Sequence, residues 1–328
     1  MSKRVAVPTL TEVQQIIDYA FPGLRATDVQ FLSGGLINTN LKVLLTSDRP
    51  PVVLRLYRDG AAVCRKEVAL LNQVSQTVPV PKVLHSEPDG FAGFGPFAIL
   101  EFVEGITFQQ LKRTNDLPAI QQAAYSVGET LAAIGRYQFP AQGRLTADRE
   151  ALQVGEPFVT GPNQIASIMD VFLRSPNFAR STGAVLREQL HNFVWAWEPA
   201  MPKLDAERSL VHCDFGNRNI LVHEQNGAWK VAAVLDWEFA FSGSPLLDVG
   251  HFLRYERQDQ PLREPYFSRG FVEHGGTLPH NWRNLVRVID LTGLVECLTH
   301  EDLPAEVETE LLQLINATLK ESYPDSEI

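Results

Sequence analysis

An aspartate, an asparagine five positions on and a second aspartate stand beside two short apolar runs. The segment His212-Cys213-Asp214-Phe215-Gly216-Asn217-Arg218-Asn219 leads directly into the first apolar run, Ile220-Leu221-Val222. Asp236 directly follows the second apolar run, residues 231–235. The two apolar runs are typical of a β-hairpin. An aspartate that orients a hydroxyl, with an asparagine and a second aspartate that hold magnesium on ATP phosphates, makes up a phosphoryl-transfer site. The spacing therefore predicts that chemistry.

The three acidic and amide side chains have separate expected roles. Asp214 needs correct placement, and no unusual pKa, to align an acceptor hydroxyl. Asn219 and Asp236 offer oxygen atoms, the ligand type that magnesium prefers. We therefore expect Asp214 to be catalytic and the other two to bind the metal ion.

His212 is interpreted as a residue that hydrogen-bonds backbone and keeps this loop in shape, with no chemical step of its own. The alternative is a hydrolase in which His212 and Asp214 bind a transition metal. Such a site needs further ligands, and the available His223 and His251 have no recognisable spacing.

A glycine-rich turn and a cation form the candidate phosphate site nearer the N-terminus. Ser33-Gly34-Gly35 lies between strand-like segments, where backbone N–H groups can approach phosphate oxygens; the same residues also suit an ordinary turn. Asn38 follows as a candidate brace for this turn. Arg55 lies mid-strand and needs a partner, which Glu67 on the next helix can supply. The alternative for Arg55 is a side chain that reaches solvent.

Two further carboxylates follow the hairpin. Glu238 shares a strand face with Asp236 if the strand continues, which makes it a second metal ligand, a group behind the ligands or a structural residue. Asp248 begins a helix that runs to about Tyr255, and we expect its link to the loop at 212–219 to be structural.

The order of elements predicts an α+β protein with two lobes. Strand-like segments predominate to residue 103, together with a helix opened by a capping box at Thr9 and Glu12 and a helix from Ala61 to about Ser75. After Gly105 helices predominate. The predicted helices are Leu117–Tyr137, Pro162–Arg174, Val185–Trp197, Asn281–His300 and Pro304–Glu321. The stretch 139–161 has little periodicity and is predicted to be a loop or an insertion. We place the boundary between the lobes at residues 103 and 104.

Composition limits the partners. The chain has 328 residues, a net charge of −10, 45% hydrophobic and 21% charged residues, and three widely separated cysteines. The negative charge argues against nucleic acid or an anionic membrane as the main partner and is compatible with a cationic small molecule. No disulfide pattern, secretory signal or transmembrane stretch is visible, so we expect a cytoplasmic protein. The oligomeric state is not indicated.

Taken together, these segments resemble the aminoglycoside phosphotransferase family of protein-kinase-like small-molecule kinases. The similarity covers residues 25–260. It rests on five segments, of which the span 209–250 is the most specific part: Leu32–Gly35 with Asn38, Val53–Leu56, Leu100–Gly105, His212–Leu221, and Val234–Ala240 continuing through Pro245–Asp248. The resemblance implies a bilobal protein-kinase-like fold, with an antiparallel sheet and one helix in the nucleotide-binding lobe and a larger helical lobe that binds the substrate.

The resemblance also implies roles for individual residues. Asp214 would be the catalytic aspartate and Asn219 and Asp236 the magnesium ligands. The other implied nucleotide-binding residues are Ser33, Gly34 and Gly35 at the phosphates, Arg55 with Glu67 in place of the usual lysine pair, and Glu101 and Val103 at the purine. Arg55 departs from lysine, which keeps the charge but changes its geometry. Asp236 is followed by Trp237-Glu238 and not by Phe-Gly, which points away from protein substrates.

The implied activity is phosphoryl transfer from ATP or GTP, with Mg²⁺, to a hydroxyl of a small molecule. An aminoglycoside or related antibiotic is the preferred acceptor, because acidic residues of the closing helices can line a pocket for a cation, although a solvated helix face is the better explanation for most of them. A metabolic kinase for choline, homoserine or a sugar is the alternative. A nucleotide-binding protein without activity is the alternative from another class.

Overall fold

The computed structural model describes residues 8–32, 38–46, 49–148, 151–159, 163–201, 206–256, 263–301 and 303–321. The chain forms two compact units. The first comprises Met1–Ser126, Leu145–Gln153 and Asn217–Phe239, and the second comprises Val127–Arg144, Val154–Gly216 and Ala240–Ile328.

Strands and helices follow the chain in this order. The strands are β1 (Ala26–Phe31), β2 (Thr39–Leu45), β3 (Val52–Leu56), β4 (Val83–Glu87), β5 (Phe97–Glu101), β6 (Ile106–Thr107), β7 (Gly143–Asp148), β8 (Ala151–Val154), β9 (Ser209–Val211), β10 (Ile220–Gln225), β11 (Ala228–Val234) and β12 (Phe241–Gly243). The helices are α1 (Leu10–Ala20), α2 (Ala61–Val74), α3 (Phe108–Arg113), α4 (Leu117–Gly135), α5 (Gln164–Leu173), α6 (Pro176–Ser181), α7 (Ala184–Ala196), α8 (Leu246–Leu253), α9 (Tyr266–Glu273), α10 (Trp282–Cys297) and α11 (Ala305–Glu321), with a 3-10 turn at Glu198–Ala200.

The first unit is built on a five-stranded antiparallel sheet in the order β1-β2-β3-β5-β4. The capping box of Thr9 and Glu12 starts α1, whose apolar face then packs on the sheet. The core cluster contains Val13, Ile16, Ile17, Leu41, Val43, Val52, Leu54, Phe97 and Ile99. Burial of one sheet face against α1 leaves the opposite face of β3, with Arg55, for other contacts.

A hairpin supplies the second sheet of this unit. Strands β10 and β11 pair antiparallel, and β6 pairs along the other edge of β10. The register sets Ile220 opposite Val234, and the Leu235 N–H donates to the Asn219 carbonyl at 2.8 Å. The hairpin therefore brings its two ends, at Asn219 and Asp236, to the same side.

The second unit is mainly helical and is organised around α10. This helix packs against α5, α8 and α11, and nearly all of its apolar side chains are buried. Helix α8 approaches it closely at Gly250, where an added Cβ would lie 2.5 Å from the Val286 carbonyl oxygen. A side chain there would push α8 away from α10, so glycine fixes the position of α8.

The α+β class and the five long helices predicted for the C-terminal part are confirmed, and the helix ends differ from prediction by three residues or fewer. Of the two alternatives for 139–161, the loop is wrong, because β7 and β8 form within it, and the insertion stays a prediction. Strand β12 pairs with Gly143 and Arg144 of β7 and with β9. These pairs join residues far apart in the sequence, and local periodicity does not reveal them. Within the described residues, no helix combines the length and apolar character needed to cross a membrane.

Candidate active site

Arg55 is the centre of a buried ionic network in the first unit. Its Nε donates to Glu67 Oε2 at 2.9 Å, Nη2 to Asp236 Oδ1 at 2.5 Å and Nη1 to Asn40 Oδ1 at 3.3 Å. Burial disfavours the charge, but the carboxylates of Glu67 and Asp236 outweigh it and raise the pKa of Arg55. The partner expected for Arg55 is therefore present, and the solvent-reaching alternative is wrong, since the residue is only 4% exposed.

Glu67 links this cation to the backbone that follows β11. Its second oxygen, Oε1, accepts the Trp237 N–H at 3.0 Å, and the indole of Trp237 donates to the Val234 carbonyl at 3.1 Å. Asp236 has a left-handed backbone, with φ of 65°. This turn directs the Asp236 carboxylate to Arg55 and away from the line of the strand.

Glu238 does not share a strand face with Asp236, because β11 ends at Val234 and the chain turns at Asp236. Its Oε2 accepts from Asn38 Nδ2 at 2.6 Å, and Asn38 Oδ1 accepts the Arg58 N–H at 3.1 Å. Burial raises the pKa of Glu238 to about 7, with a further contribution from the charge of Asp236. Asn38 thus braces the start of β2 against the segment after Asp236.

The donor set of Asn219 and Asp236 fits magnesium. Both offer oxygen atoms, and the hairpin register sets Asn219 opposite Leu235, next to Asp236. Magnesium in phosphoryl-transfer sites takes one or two protein oxygens and completes its shell with phosphates and water. Among the described residues, no group of three or more His, Cys, Asp and Glu side chains is placed to hold a metal. The ligand set that the hydrolase alternative requires is therefore not found there.

Of the residues expected to contact the nucleotide, Glu101 lies within the described part of the chain and the glycine-rich turn does not. The Glu101 N–H donates to the Lys82 carbonyl at 2.8 Å, so this donor has its partner within the protein. Ser33, Gly34 and Gly35 lie outside the described residues. Beside them the Leu32 N–H donates to the Asn40 carbonyl at 2.9 Å, so β1 and β2 bring the two ends of that segment together.

The Asp214 loop, residues 212–216, belongs to the second unit. Asp248 of α8 holds it: Oδ2 accepts the His212 N–H at 2.7 Å and Oδ1 the Cys213 N–H at 2.9 Å. Burial raises the pKa of Asp248 to about 7, and these two donors oppose the effect of burial. Within the loop the Asp214 N–H donates to His212 Nδ1 at 3.2 Å and the Gly216 N–H to the Asp214 carbonyl at 2.8 Å. The structural link expected for Asp248 is confirmed, and His212 has the contact expected of a loop-shaping residue.

Sequence reasoning missed the role of His251, which it considered only as a metal ligand. His251 Nε2 lies 3.4 Å from Asp214 Oδ1, and the Asp214 side chain is 40% exposed. The available signal was the spacing from Asp248, because residues three apart on a helix share a face.

Comparison with known proteins decides the family. The model of the phosphotransferase enzyme family matches residues 28–280, more than three quarters of the chain. The chain belongs to the phosphotransferase enzyme family. The resemblance found in the sequence is thereby confirmed.

Curated relatives of this family member carry two kinds of name. Hygromycin-B 4-O-kinase of Escherichia coli is 26% identical over 209 residues, which is 62% of this chain and 56% of the relative. Acyl-CoA dehydrogenase family member 11 of Homo sapiens is 28% identical over 203 residues, 61% of this chain and 24% of the relative. The chain thus spans only a quarter of this second relative.

Solved structures confirm the fold expected for a protein-kinase-like phosphotransferase. An aminoglycoside phosphotransferase in a ternary complex with ADP and hygromycin B superposes with a TM-score of 0.69 at 21% identity, covering 95% of this chain and 99% of that one. The GDP complex of aminoglycoside 2'-phosphotransferase-IIIa superposes with a TM-score of 0.66 at 16% identity, covering 96% and 100%.

Proposed function

We propose that this phosphotransferase-family protein transfers the γ-phosphoryl group of ATP or GTP, with Mg²⁺, to a hydroxyl of a small molecule. The observation that carries the proposal is the Arg55 network: a buried guanidinium held by Glu67 and in contact with Asp236, the candidate metal ligand. A site for a nucleoside triphosphate needs a fixed cation beside a metal-binding carboxylate, because the phosphates are negatively charged and bind together with a metal ion.

Each residue has a defined task in the proposed reaction. Arg55 contacts the nucleotide phosphates. Asn219 and Asp236 would hold magnesium, which would supply positive charge to neutralise those phosphates. Asp214 accepts a hydrogen bond from the acceptor hydroxyl and orients its oxygen towards the γ-phosphorus. The new P–O bond forms as the bond to the nucleoside diphosphate breaks, and the hydroxyl proton passes to Asp214.

The remaining expectations complete the nucleotide site. Ser33, Gly34 and Gly35 contact the phosphates through backbone N–H groups, and Glu101 and Val103 contact the purine through backbone groups. Residues 1–103 form the nucleotide-binding lobe and residues 104–328 the catalytic and substrate-binding lobe. The solved neighbours with ADP and with GDP support a purine nucleotide as donor and leave both ATP and GTP in the proposal.

An aminoglycoside or a related cationic compound is the first candidate for the acceptor. Support comes from the E. coli relative named hygromycin-B 4-O-kinase, from the neighbour that holds hygromycin B, and from the net charge of −10. An acidic protein attracts a polycationic acceptor. Antibiotic resistance in the cytoplasm would be the physiological role.

A second acceptor class follows from the names of the other relatives. Segments similar to this chain occur in proteins named as acyl-CoA dehydrogenases, in which they make up about a quarter of the length or less. A phosphotransferase segment in a protein of that name suits a hydroxylated acyl thioester as acceptor. Metabolic kinases for choline, homoserine or sugars remain the third possibility.

A coupled assay for ADP and GDP release tests the proposal. Purified protein receives MgATP or MgGTP with hygromycin B, other aminoglycosides, hydroxyacyl-CoA esters, choline, ethanolamine, homoserine and sugars in turn, and mass spectrometry identifies any phosphate ester. We expect one acceptor class to stimulate release of the nucleoside diphosphate above the rate with water. Nucleotide binding without transfer to any acceptor or to water would contradict the proposal and favour an inert nucleotide-binding protein.

A further inference from the structure

One turn beyond Asp248, α8 presents a second polar side chain to the Asp214 loop. His251 lies on the same helix face as Asp248, and its Nε2 is 3.4 Å from Asp214 Oδ1. The His251 side chain is 17% exposed, less than half the exposure of Asp214. Helix α8 therefore contacts both the backbone of the loop, through Asp248, and the carboxylate of Asp214, through His251.

The chemistry of the two groups limits what this contact can be. A carboxylate only accepts, so Asp214 Oδ1 can take a hydrogen bond from the ring only in the tautomer that carries the proton on His251 Nε2. Burial, and next the charge of Arg254, lower the pKa of His251 to about 3, so its imidazole is neutral at neutral pH; a hydrogen bond to the Cys213 backbone opposes this shift and ties the ring to the same loop. Arg254 itself is held by both oxygens of Asp290, at 2.8 and 2.7 Å.

Gly216 lies close to the His251 ring. A Cβ added there would lie 3.2 Å from His251 Nε2 and 4.0 Å from Asp214 Oδ1. A methyl group would therefore press on the imidazole beside the carboxylate that it contacts. The loop thus carries a glycine at the point where the ring needs room.

We infer that His251 is a positioning residue for Asp214, an assignment that rests on the proposed function. The Nε2–H group interacts with Oδ1 and restricts rotation of the carboxylate, so that the carboxylate is oriented before the acceptor arrives. His251 takes no proton in the reaction; the acceptor proton goes to Asp214.

Substitution of His251 separates positioning from a general effect on folding. Leu fills much of the space without a donor, and Gln retains a side-chain N–H. We expect His251→Leu to lower kcat by about 10- to 100-fold while KM for MgATP changes by about twofold or less. His251→Gln should recover most of the lost kcat. The rate is ADP release from MgATP, with water and with the acceptor found in the panel, and His280→Leu, at an exposed site, is the matched control.

A double-mutant cycle tests the part played by Gly216. Gly216→Ala should lower kcat in the wild-type background, because its methyl group displaces the ring. In a His251→Ala background the same methyl group meets no ring, so we expect little further loss. Equal losses in both backgrounds would show that Gly216 acts independently of His251 and would overturn the assignment.

The outcomes distinguish this inference from the proposed function. Wild-type kcat in His251→Leu, or a loss that Gln does not relieve, would overturn the inference. A fall in kcat of about 10²-fold or more in Asp214→Asn would still keep the proposed function. A wild-type protein that releases no ADP from MgATP under any condition would overturn both. Melting temperatures and MgATP affinities of the variants show whether any loss reflects unfolding.

Discussion

At the scale of single residues, the site depends on charges that are buried and satisfied by specific partners. Arg55 and Glu67 have side chains that are 5% and 2% exposed, so neither is hydrated as it would be in an unfolded chain. The pair persists because each group meets several partners: Arg55 contacts two carboxylates and an amide, and Glu67 accepts from Arg55 and from the Trp237 backbone. A buried pair of this kind is costly to break from one side.

Removal of the cation should therefore destabilise the protein strongly. We expect Arg55→Met to lower the free energy of unfolding by about 3–5 kcal/mol, because Glu67 loses its ionic partner while it stays buried. Urea denaturation measures this change. Arg65→Met on α2, the helix that carries Glu67, removes a pair with the exposed Asp89 and should cost about 0–1 kcal/mol. Equal losses in the two variants would contradict the interpretation of Arg55.

At the scale of elements, α8 positions the Asp214 loop and the β10–β11 hairpin positions Asn219 and Asp236. The hairpin was visible in the sequence because its apolar runs and the polar residues at its ends are local. The helices were predictable for the same reason. The pairing of β12 with β7 and β9, the left-handed backbone of Asp236 and the approach of His251 were not, because each depends on contacts between residues distant in sequence.

The hold of α8 on the Asp214 loop gives a prediction for this scale. Asp248→Asn keeps one acceptor oxygen but sets an amide NH₂ against a backbone N–H of the loop. We expect the free energy of unfolding to fall by about 1–3 kcal/mol and kcat to fall with it, because a buried donor is left unsatisfied. Urea denaturation and ADP release measure the two effects. Asp89→Asn, at an exposed side chain, is the control. If Asp248→Asn has the same free energy of unfolding and the same kcat as this control, the role assigned to Asp248 is contradicted.

At the scale of the whole molecule, family membership determines the reaction class and leaves the acceptor to be found. The family match ends at residue 280, just before α10 and α11, although α10 is the core of the second unit. Relatives named for hygromycin B and for acyl-CoA match 62% and 61% of this chain. A fold supports many acceptors, so the acceptor has to be argued from the residues that contact it.

The measurement that tests the central claim most directly compares phosphate-ester formation by the wild-type protein and by Asp214→Asn. We expect the wild-type protein to convert an acceptor of the panel to its phosphate ester with MgATP. Asn has the same shape but cannot accept the proton, so kcat should fall by about 10²- to 10⁴-fold while calorimetry shows MgATP binding unchanged. An Asp214→Asn variant with wild-type kcat would contradict the account.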